Sequence, residues 1–599
     1  MCRIYGSFGG PAAHGDVLRN VARELLHGGP DDQTVLTGSN WALGNNRLAI
    51  QGIHGGKQPF RLGRLTCVFN GEVYNHRALR AGLEAEGHIF GDDCDGNVIL
   101  PLYERHGDAF VQKLEGMFAI AIVDERNKPC LKLFNDHAGM KSLYYFVSAD
   151  GRELCFASEL RALARFPRFP DQIDPLAIDR YFGGKAVWGP GTIYSRVRTL
   201  APGTILTLEA DGRPSERLYS LPSPDPWHRG ERARPDAART LDNLLRNELR
   251  NMLDADVPVC VVTSGGLDSS YITALAKTLV PELASFNISY KGEWPSDERH
   301  FAQEVARHCG TNHHQVLLDP GDFPIIIDRF IGHLDQPNNA PHSLSTYALF
   351  EAIHDAGFKV ALTGDGADEL FGGYARFVNA SADHSADWQS KYQRTMAVMP
   401  AAALSELYSP AYRSELEKAG GLFTDRVGME LARRVEENRR DKLEDLLRYD
   451  QFERFPYYIL RRVDHLSMAH AVEARIPFLQ PKIMQFAASL PAELKVVQGK
   501  VKTQVADAAS AWIPASIIDR PKQPFTLPIA AMIKSGEALH DMIGDTLLSP
   551  NLRCSNYFDG GTIKDLFDRQ THQPNAQAAD ALWSLLMLET WLGKRNIHL

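Results

Sequence analysis

Three segments of this 599-residue chain carry residues whose types and spacing could do chemistry. Ser264-Gly265-Gly266-Leu267-Asp268-Ser269-Ser270 follows an apolar run, Val257 to Val262, and precedes a helical run, Tyr271 to Leu279. Paired glycines between a strand and a helix N-terminus let backbone N–H groups and the helix dipole face an anion, so the segment predicts a phosphate cradle. The Gly-Lys-[Ser/Thr] ending of a Walker A loop is absent, which argues against a kinase-type or GTPase-type site. A second glycine-rich, acidic segment, Thr363-Gly364-Asp365-Gly366-Ala367-Asp368-Glu369-Leu370-Phe371-Gly372-Gly373-Tyr374, follows the apolar run Phe358 to Leu362. Its carboxylates suit Mg²⁺ beside a triphosphate. Either run alone also fits an ordinary turn with solvated acids; the pair, each behind an apolar strand, points to a nucleotide.

The third segment is the N-terminus. Cys2 follows the initiator methionine, and removal of that methionine would leave a thiol and a free α-amine on one residue. An amine of pKa ~8 is a usable base near neutral pH. A cysteine at this position is often inert, but Asn70-Gly71-Glu72-Val73-Tyr74-Asn75 follows the run Leu65 to Phe69. A side-chain amide beside a backbone N–H can form an oxyanion hole, so acyl transfer through Cys2 is the expected chemistry.

The elements that must position these groups divide the chain. Up to about Leu218, short β-rich runs alternate with Gly, Asn and Asp breaks, including Met117 to Val123, Leu131 to Phe134, Leu143 to Phe146 and Leu154 to Ala157. Between Leu221 and Pro235 four prolines and several charges exclude a regular helix and place a boundary. Domains are therefore expected over 1–218 and 236–599, with a linker over 219–235. Beyond it, apolar strands alternate with helical patterns, predicting a doubly wound parallel sheet with ligands at the strands' carboxyl ends. From about Ala386 the pattern reads as helical.

Composition narrows the function. With 65 Lys+Arg against 74 Asp+Glu, the formal charge of −9 and the lack of a long basic run make nucleic acid an unexpected partner. No apolar stretch approaches the ~18 residues that span a bilayer, no signal-peptide pattern opens the chain, and the eight cysteines are scattered. A cytoplasmic enzyme with free thiols and no membrane contact is the expectation.

The Ser264 to Ser270 run resembles the ATP pyrophosphatase loop, whose enzymes cleave ATP between its α and β phosphates to form an adenylate. The N-terminal part resembles class II glutamine amidotransferase domains. Together, with Phe156-Ala157-Ser158-Glu159, Val463-Asp464-His465-Leu466-Ser467-Met468-Ala469-His470 and Glu473-Ala474-Arg475-Ile476-Pro477-Phe478-Leu479, the chain resembles the glutamine-dependent asparagine synthetase family over nearly its whole length. The resemblance implies an N-terminal-nucleophile αββα sandwich, then a doubly wound parallel-sheet domain with a helical C-terminal part. It implies Cys2 as nucleophile, Asn70 and Gly71 as oxyanion hole, and Arg47, Leu48, Ile50, Asn70, Glu72 and Asp95 around glutamine. For ATP it implies Val262, Ser264, Gly265, Gly266, Asp268, Ser269, Ile288, Thr363 and Gly364, with Mg²⁺ at Asp268 and Asp368, Asp365 as base toward ammonia and Lys502 as charge-neutralising cation.

Departures from the family pattern are equally specific. Cys-Gly-Ile is Cys2-Arg3-Ile4, and His-Arg-Gly-Pro-Asp is His27-Gly28-Gly29-Pro30-Asp31. Asp-Glu-Pro is Asp335-Gln336-Pro337, and Pro-Phe-Leu-Asp ends in Gln480. The last two are expected on the acceptor side, with Asp335, Asp365 and Arg475 as remaining charged contributors. Glutamine, ATP and a carboxylate acceptor are the expected partners, aspartate favoured. The same chemistry on another carboxylic acid or amine donor is the alternative, and a homodimer is carried as one assembly to test.

Overall fold

Period-two alternation sorts the first 218 residues into layers. The computed structural model describes residues 2–10, 15–209, 212–219, 226–227, 232–294, 297–438, 441–520 and 527–599. Twelve strands precede the boundary: β1 (Cys2–Phe8), β2 (Asp32–Thr37), β3 (Trp41–Arg47), β4 (Phe60–Leu62), β5 (Leu65–Val73), β6 (Gly116–Asp124), β7 (Cys130–Asn135), β8 (Tyr144–Val147), β9 (Leu154–Ala157), β10 (Val197–Thr199), β11 (Thr204–Glu209) and β12 (Ser215–Leu218). They form two six-stranded sheets, β10-β8-β9-β1-β3-β2 and β12-β11-β7-β6-β5-β4. Every pairing within them is antiparallel.

Successive side chains of a strand face opposite ways. On β6, Ala119, Ala121 and Val123 therefore join Ile4, Phe8 and Leu43 in the core between the sheets. Phe118, Ile120 and Ile122 point outward to Leu100, Leu102 and Tyr103 of the helix Ile99–His106. On the far side, Tyr5 and Ala42 pack under Leu18 and Val21 of the helix Gly15–Glu24. Helix, sheet, sheet, helix is the αββα sandwich.

The second half holds β13 (Val259–Val262), β14 (Ala284–Tyr290), β15 (Asn312–Leu318), β16 (Val360–Leu362) and β17 (Glu473–Arg475) in the order β15-β14-β13-β16-β17, all parallel. Helices cover the sheet, as continuously apolar strands require. Among the described residues, two apolar clusters span both halves: Leu48, Ile50, Tyr74, Met117 and Met140 pack with the group that contains Leu362, Ala474 and Ile476, and Tyr181 and Phe182 belong with the group that contains Tyr347, Tyr408 and Trp583.

Three expectations need correction. β5 does not end at Phe69 but runs to Val73, because Gly71 at φ +147 keeps the chain extended where a side chain would run into the Met117 carbonyl. β17 lies in a stretch that reads as helical; three residues carry no period of their own, and pairing with β16 makes them a strand. A helix starts at Ala233 rather than after Pro235, since proline is tolerated in a first helical turn. Residues 220–225 and 228–231 of the expected linker lie outside the described residues.

Candidate functional site

Cys2 is the first residue of the central strand β1, opposite Arg47 on β3. Its backbone N donates to Asn70 Oδ1 at 3.2 Å. The Asn70 Nδ2 is buried without a hydrogen-bond partner, and an orphaned donor beside a nucleophile is what an oxyanion would satisfy. Burial pushes the Cys2 thiol up, opposed by a hydrogen bond from Asn45 and the cation of Arg47. Gln58, which the sequence did not single out, donates to Cys2 Sγ at 3.3 Å and clips β5 through Phe69 O at 2.9 Å and Phe69 N at 2.7 Å.

Arg47, Leu48, Ile50, Gly71, Glu72 and Asp95 line a cavity of about 20 Å³ with Cys2. Such a space holds roughly one water. Arg47 Nη2 donates to Gly52 O at 2.8 Å and Gln51 O at 3.3 Å. Asp95 Oδ2 accepts from Val73 N at 2.7 Å. Burial, then Glu473 and Asp95, push the Glu72 carboxyl up to about 8, against the pull of Arg475.

Two of the departures prove to be one. Arg3 is fully buried; its Nε lies 3.0 Å from Glu159 and its Nη1 2.8 Å from Asp464. A Cβ on Gly28 would stand 3.0 Å from the Arg3 side chain. Against the pattern that the resemblance implies, glycine at the first position and arginine at the second, the two are exchanged here, and the Arg3 side chain lies against Gly28.

The second site is a cleft of about 940 Å³ at the carboxyl ends of the parallel strands. Val262, Ser264, Gly266, Asp268, Ser269, Ile288, Thr363, Gly364, Asp365, Asp368 and Lys502 all line it. Gly265 is not in its wall; at φ +75 it makes the turn, where a Cβ would come within 2.6 Å of Ala302 N. The two glycine-rich segments touch backbone to backbone, since a Cβ on Gly364 would stand 2.6 Å from Ser269 N. Ser264 and Ser269 brace the first loop through Oγ···Oγ at 2.9 Å and Ser264 N to Ser269 Oγ at 3.1 Å.

Lys502 joins the loops. Its Nζ lies 2.6 Å from Asp268 and 2.8 Å from Asp368, all three from separate segments. Burial opposes its charge, yet the two carboxylates hold the ammonium above the ordinary lysine range. Its backbone is left-handed at φ 51, a conformation that costs a non-glycine residue about 1–3 kcal/mol and recurs at functional sites. Two carboxylates converging on one cation also fit a divalent ion, because Mg²⁺ takes one or two carboxylates and fills its shell with phosphate oxygens and water. Thr363 Oγ1 donates to Asp365 Oδ2 at 2.8 Å, and burial pushes the Asp365 carboxyl up.

The acceptor-side expectations fare differently. Asp335 accepts from Leu160 N at 2.7 Å and Gln336 from Ile193 N at 2.7 Å, both between the halves of the chain. Neither they nor Gln480 and Arg475 line the cleft. The cleft cations the sequence missed include Arg376, Arg454 and Arg462. Arg454 and Arg462 come from the π-helical stretch Asp450–Leu460 and the helix Arg461–Met468. Extra residues in a helical turn frequently mark functional sites, but no residue pattern announces them. Arg462 is buried against His342, whose pKa burial and then Arg462 hold far below the imidazole range.

Among the described residues no helix is long and apolar enough to cross a membrane, and all eight cysteines are free. The profile of the asparagine synthase family matches residues 240–593, and that of the glutamine amidotransferase domain matches residues 1–219. The glutamine-hydrolyzing asparagine synthetase 1 of Bacillus subtilis (strain 168) is 27% identical over 568 residues, covering 89% of this chain and 88% of that protein. The glutamine-hydrolyzing asparagine synthetase B of Escherichia coli (strain K12) is 28% identical, with 88% and 82% covered. Amidase chry2 of Gibberella zeae is 25% identical, with 93% and 92% covered. Two sites of this construction, under two profiles that between them span nearly all of the sequence, have one reading: this chain belongs to the asparagine synthase family and carries a glutamine amidotransferase domain at its N-terminal end.

Proposed function

We propose that this chain is a glutamine-hydrolysing, ATP-dependent carbon–nitrogen ligase that amidates aspartate to asparagine. The observation that carries the reading is the meeting of Asp268, Asp368 and Lys502 at 2.6 and 2.8 Å in the cleft. A fixed cation there counters charge that grows on phosphorus as pyrophosphate leaves, an interaction stronger in the transition state than before it.

In the N-terminal pocket, the Cys2 sulfur attacks the side-chain carbonyl of glutamine. Asn70 Nδ2 and the Gly71 N–H receive the oxyanion, ammonia leaves, and water releases glutamate from the thioester. Arg47 pairs with the α-carboxylate and Glu72 with Asp95 take the α-ammonium. In the cleft, the acceptor carboxylate attacks the α-phosphorus of ATP, giving an acyl-adenylate and pyrophosphate. Ammonia displaces AMP, and Asp365, kept buried with a raised pKa, accepts the proton shed by the attacking nitrogen. Mg²⁺ held at Asp268 and Asp368 would neutralise phosphate charge.

Aspartate gains support from the position of the departures. Gln336 and Gln480 do not line the cleft, so the loss of those acids leaves the acceptor wall unchanged in charge. Arg376, Arg454, Arg462, Asp365 and Glu369 face the cleft and supply cations and acceptors for an amino acid with two carboxylates. The test is ATP/pyrophosphate exchange over a panel of carboxylic acids, with product analysis. Aspartate-dependent exchange with AMP and asparagine as products is expected. Exchange only with a monocarboxylic acid lacking an α-amine moves the acceptor elsewhere, and ADP as product sinks the adenylation reading.

A further inference from the structure

The loop that follows Arg47 is fastened from the other half of the chain. Asp256, just before β13, donates its backbone N to Ile50 O at 3.0 Å and accepts from Gly52 N through Oδ2 at 2.8 Å. Gly52 is pinned on its other side as well: its carbonyl accepts from Arg47 Nη2 at 2.8 Å and from Gly55 N at 2.9 Å. Its φ of +62 puts a Cβ 2.9 Å from Cys94 Cα, so glycine alone makes this turn without strain. A second tie lies at Ala49. Its N donates to Asp31 Oδ2 at 2.8 Å, and Lys359, just before β16, donates Nζ to the same oxygen at 2.9 Å.

These bonds converge on one guanidinium. β3 ends at Arg47, so beyond it sheet register no longer holds the backbone, and Ile50 O and Gly52 N find their partner across the domain boundary. The carbonyls of Gln51 and Gly52 then fix where the planar fork of Arg47 points, through bonds to Nη2 at 3.3 and 2.8 Å. Leu48, Ile50 and Gln51 of the same loop line the pocket with Cys2. A guanidinium grips a carboxylate well only when its N–H groups are aimed at both oxygens. Under the proposed function Arg47 takes glutamine's α-carboxylate, so the loop sets the reach between that clamp and the Cys2 sulfur.

We infer that Asp256 is a positioning residue for glutamine binding: from the second half of the chain it fastens the loop that aims Arg47, so the glutamine pocket is complete only with the two halves docked. The ligand assigned here rests on the proposed function; the fastening of the loop rests on the hydrogen bonds themselves. The carboxylate accepts from a backbone N–H, and an ionised acceptor makes the stronger kind of hydrogen bond. Asp256 is not in the cavity wall. Its loss leaves Cys2 and Asn70 in place and is felt as affinity for the substrate.

The test uses the full-length enzyme, with glutamate release measured against glutamine concentration. Asp256→Ala should raise KM for glutamine about 5- to 10-fold, as the loss of one hydrogen bond at a solvent-facing position implies, with kcat nearly unchanged. Ammonium-driven synthesis, which bypasses the glutamine pocket, should stay at its unsubstituted rate. Asp256→Asn keeps an acceptor without the charge and should restore part of the affinity. Arg77→Ala is the control, because Arg77 pairs with Asp254 across the same boundary, Nε to Oδ2 and Nη2 to Oδ1 both at 2.8 Å, without a bond to the loop. Its glutamine KM should not move. Equal KM shifts in Asp256→Ala and Arg77→Ala would mean that any loosening of the boundary suffices, and the role of Asp256 falls. Hydrogen–deuterium exchange reads the contact without catalysis: amides within residues 47–56 should exchange faster in Asp256→Ala than in the unsubstituted enzyme. Unchanged exchange there, a glutamine KM that ignores Asp256→Ala, or a matching loss of ammonium-driven synthesis overturns the positioning. Faster exchange in a protein that, even unsubstituted, releases no glutamate from glutamine upholds the fastening and overturns the function instead.

Discussion

The glutamine pocket and the nucleotide cleft solve opposite problems. The first, about 20 Å³, is built mainly on neighbouring antiparallel strands, with Cys2 facing Arg47 in register and Asn70 on the strand beneath. The second, about 940 Å³, gathers Asp268, Asp368 and Lys502 from segments separated by a hundred residues or more. The small pocket holds its donors by sheet register, so its chemistry depends on single preformed groups. The large cleft holds its charges by ion pairing between loops, so it depends on how those loops approach.

This contrast can be broken most severely at the nucleophile. Cys2→Ala should reduce glutamine-driven amide formation by on the order of 10³-fold or more, while synthesis from ammonium salts survives. Equal loss of both, read by asparagine formation, would mean the sites are not separable. Lys502→Met should cost pyrophosphate release about 10²–10³-fold, the range for losing one preformed charge-stabilising group, and leave glutamate release from glutamine intact.

Asn70→Ala should cost glutaminase activity about 10²-fold by removing one oxyanion donor, and spare ATP/pyrophosphate exchange. Gly364→Ala sharpens the contrast differently. Its Cβ would press on Ser269 N from 2.6 Å, forcing the loops apart at a cost of about 1–3 kcal/mol; KM for ATP should rise and Tm fall, with glutamine KM changed far less. An ATP KM unchanged by this substitution would show that loop contact is not what shapes the cleft.

The smallest effect is on pH. Glu72 is pushed up to about 8 by burial first and then by Glu473 and Asp95, so it is neutral below that value and anionic above it. The anionic form binds an α-ammonium. KM for glutamine should therefore fall several-fold as pH rises from 6.5 to 8.5, and Glu72→Gln should flatten the profile. A wild-type KM independent of pH across that interval would place the carboxylate's ionisation elsewhere.

Much of both sites was legible because it is local. A glycine pair behind an apolar strand makes a cradle wherever it folds, and Val262, Ser264, Asp268 and Thr363 all line the cleft. Cys2 and Asn70 could be joined by type and by family resemblance, and they meet at 3.2 Å. The apolar runs located strands because burial on both faces leaves a compositional mark.

Other features depend on pairs far apart in the chain. The exchange of arginine and glycine between positions 3 and 28 reads as two defects in sequence and as one compensated space in three dimensions. Gln336 and Gln480 looked like acceptor changes until their side chains were seen away from the cleft. Arg475 looked like an acceptor contact and instead lies 3.7 Å from Glu72 through its side chain and accepts from Thr363 N through its carbonyl. The chain alone determined which segments can cradle phosphate, attack a carbonyl or form buried strands, since those follow from local backbone freedom and periodicity. Tertiary structure decided which buried charges face one another, because packing, and not spacing along the chain, sets the direction in which each side chain leaves its element.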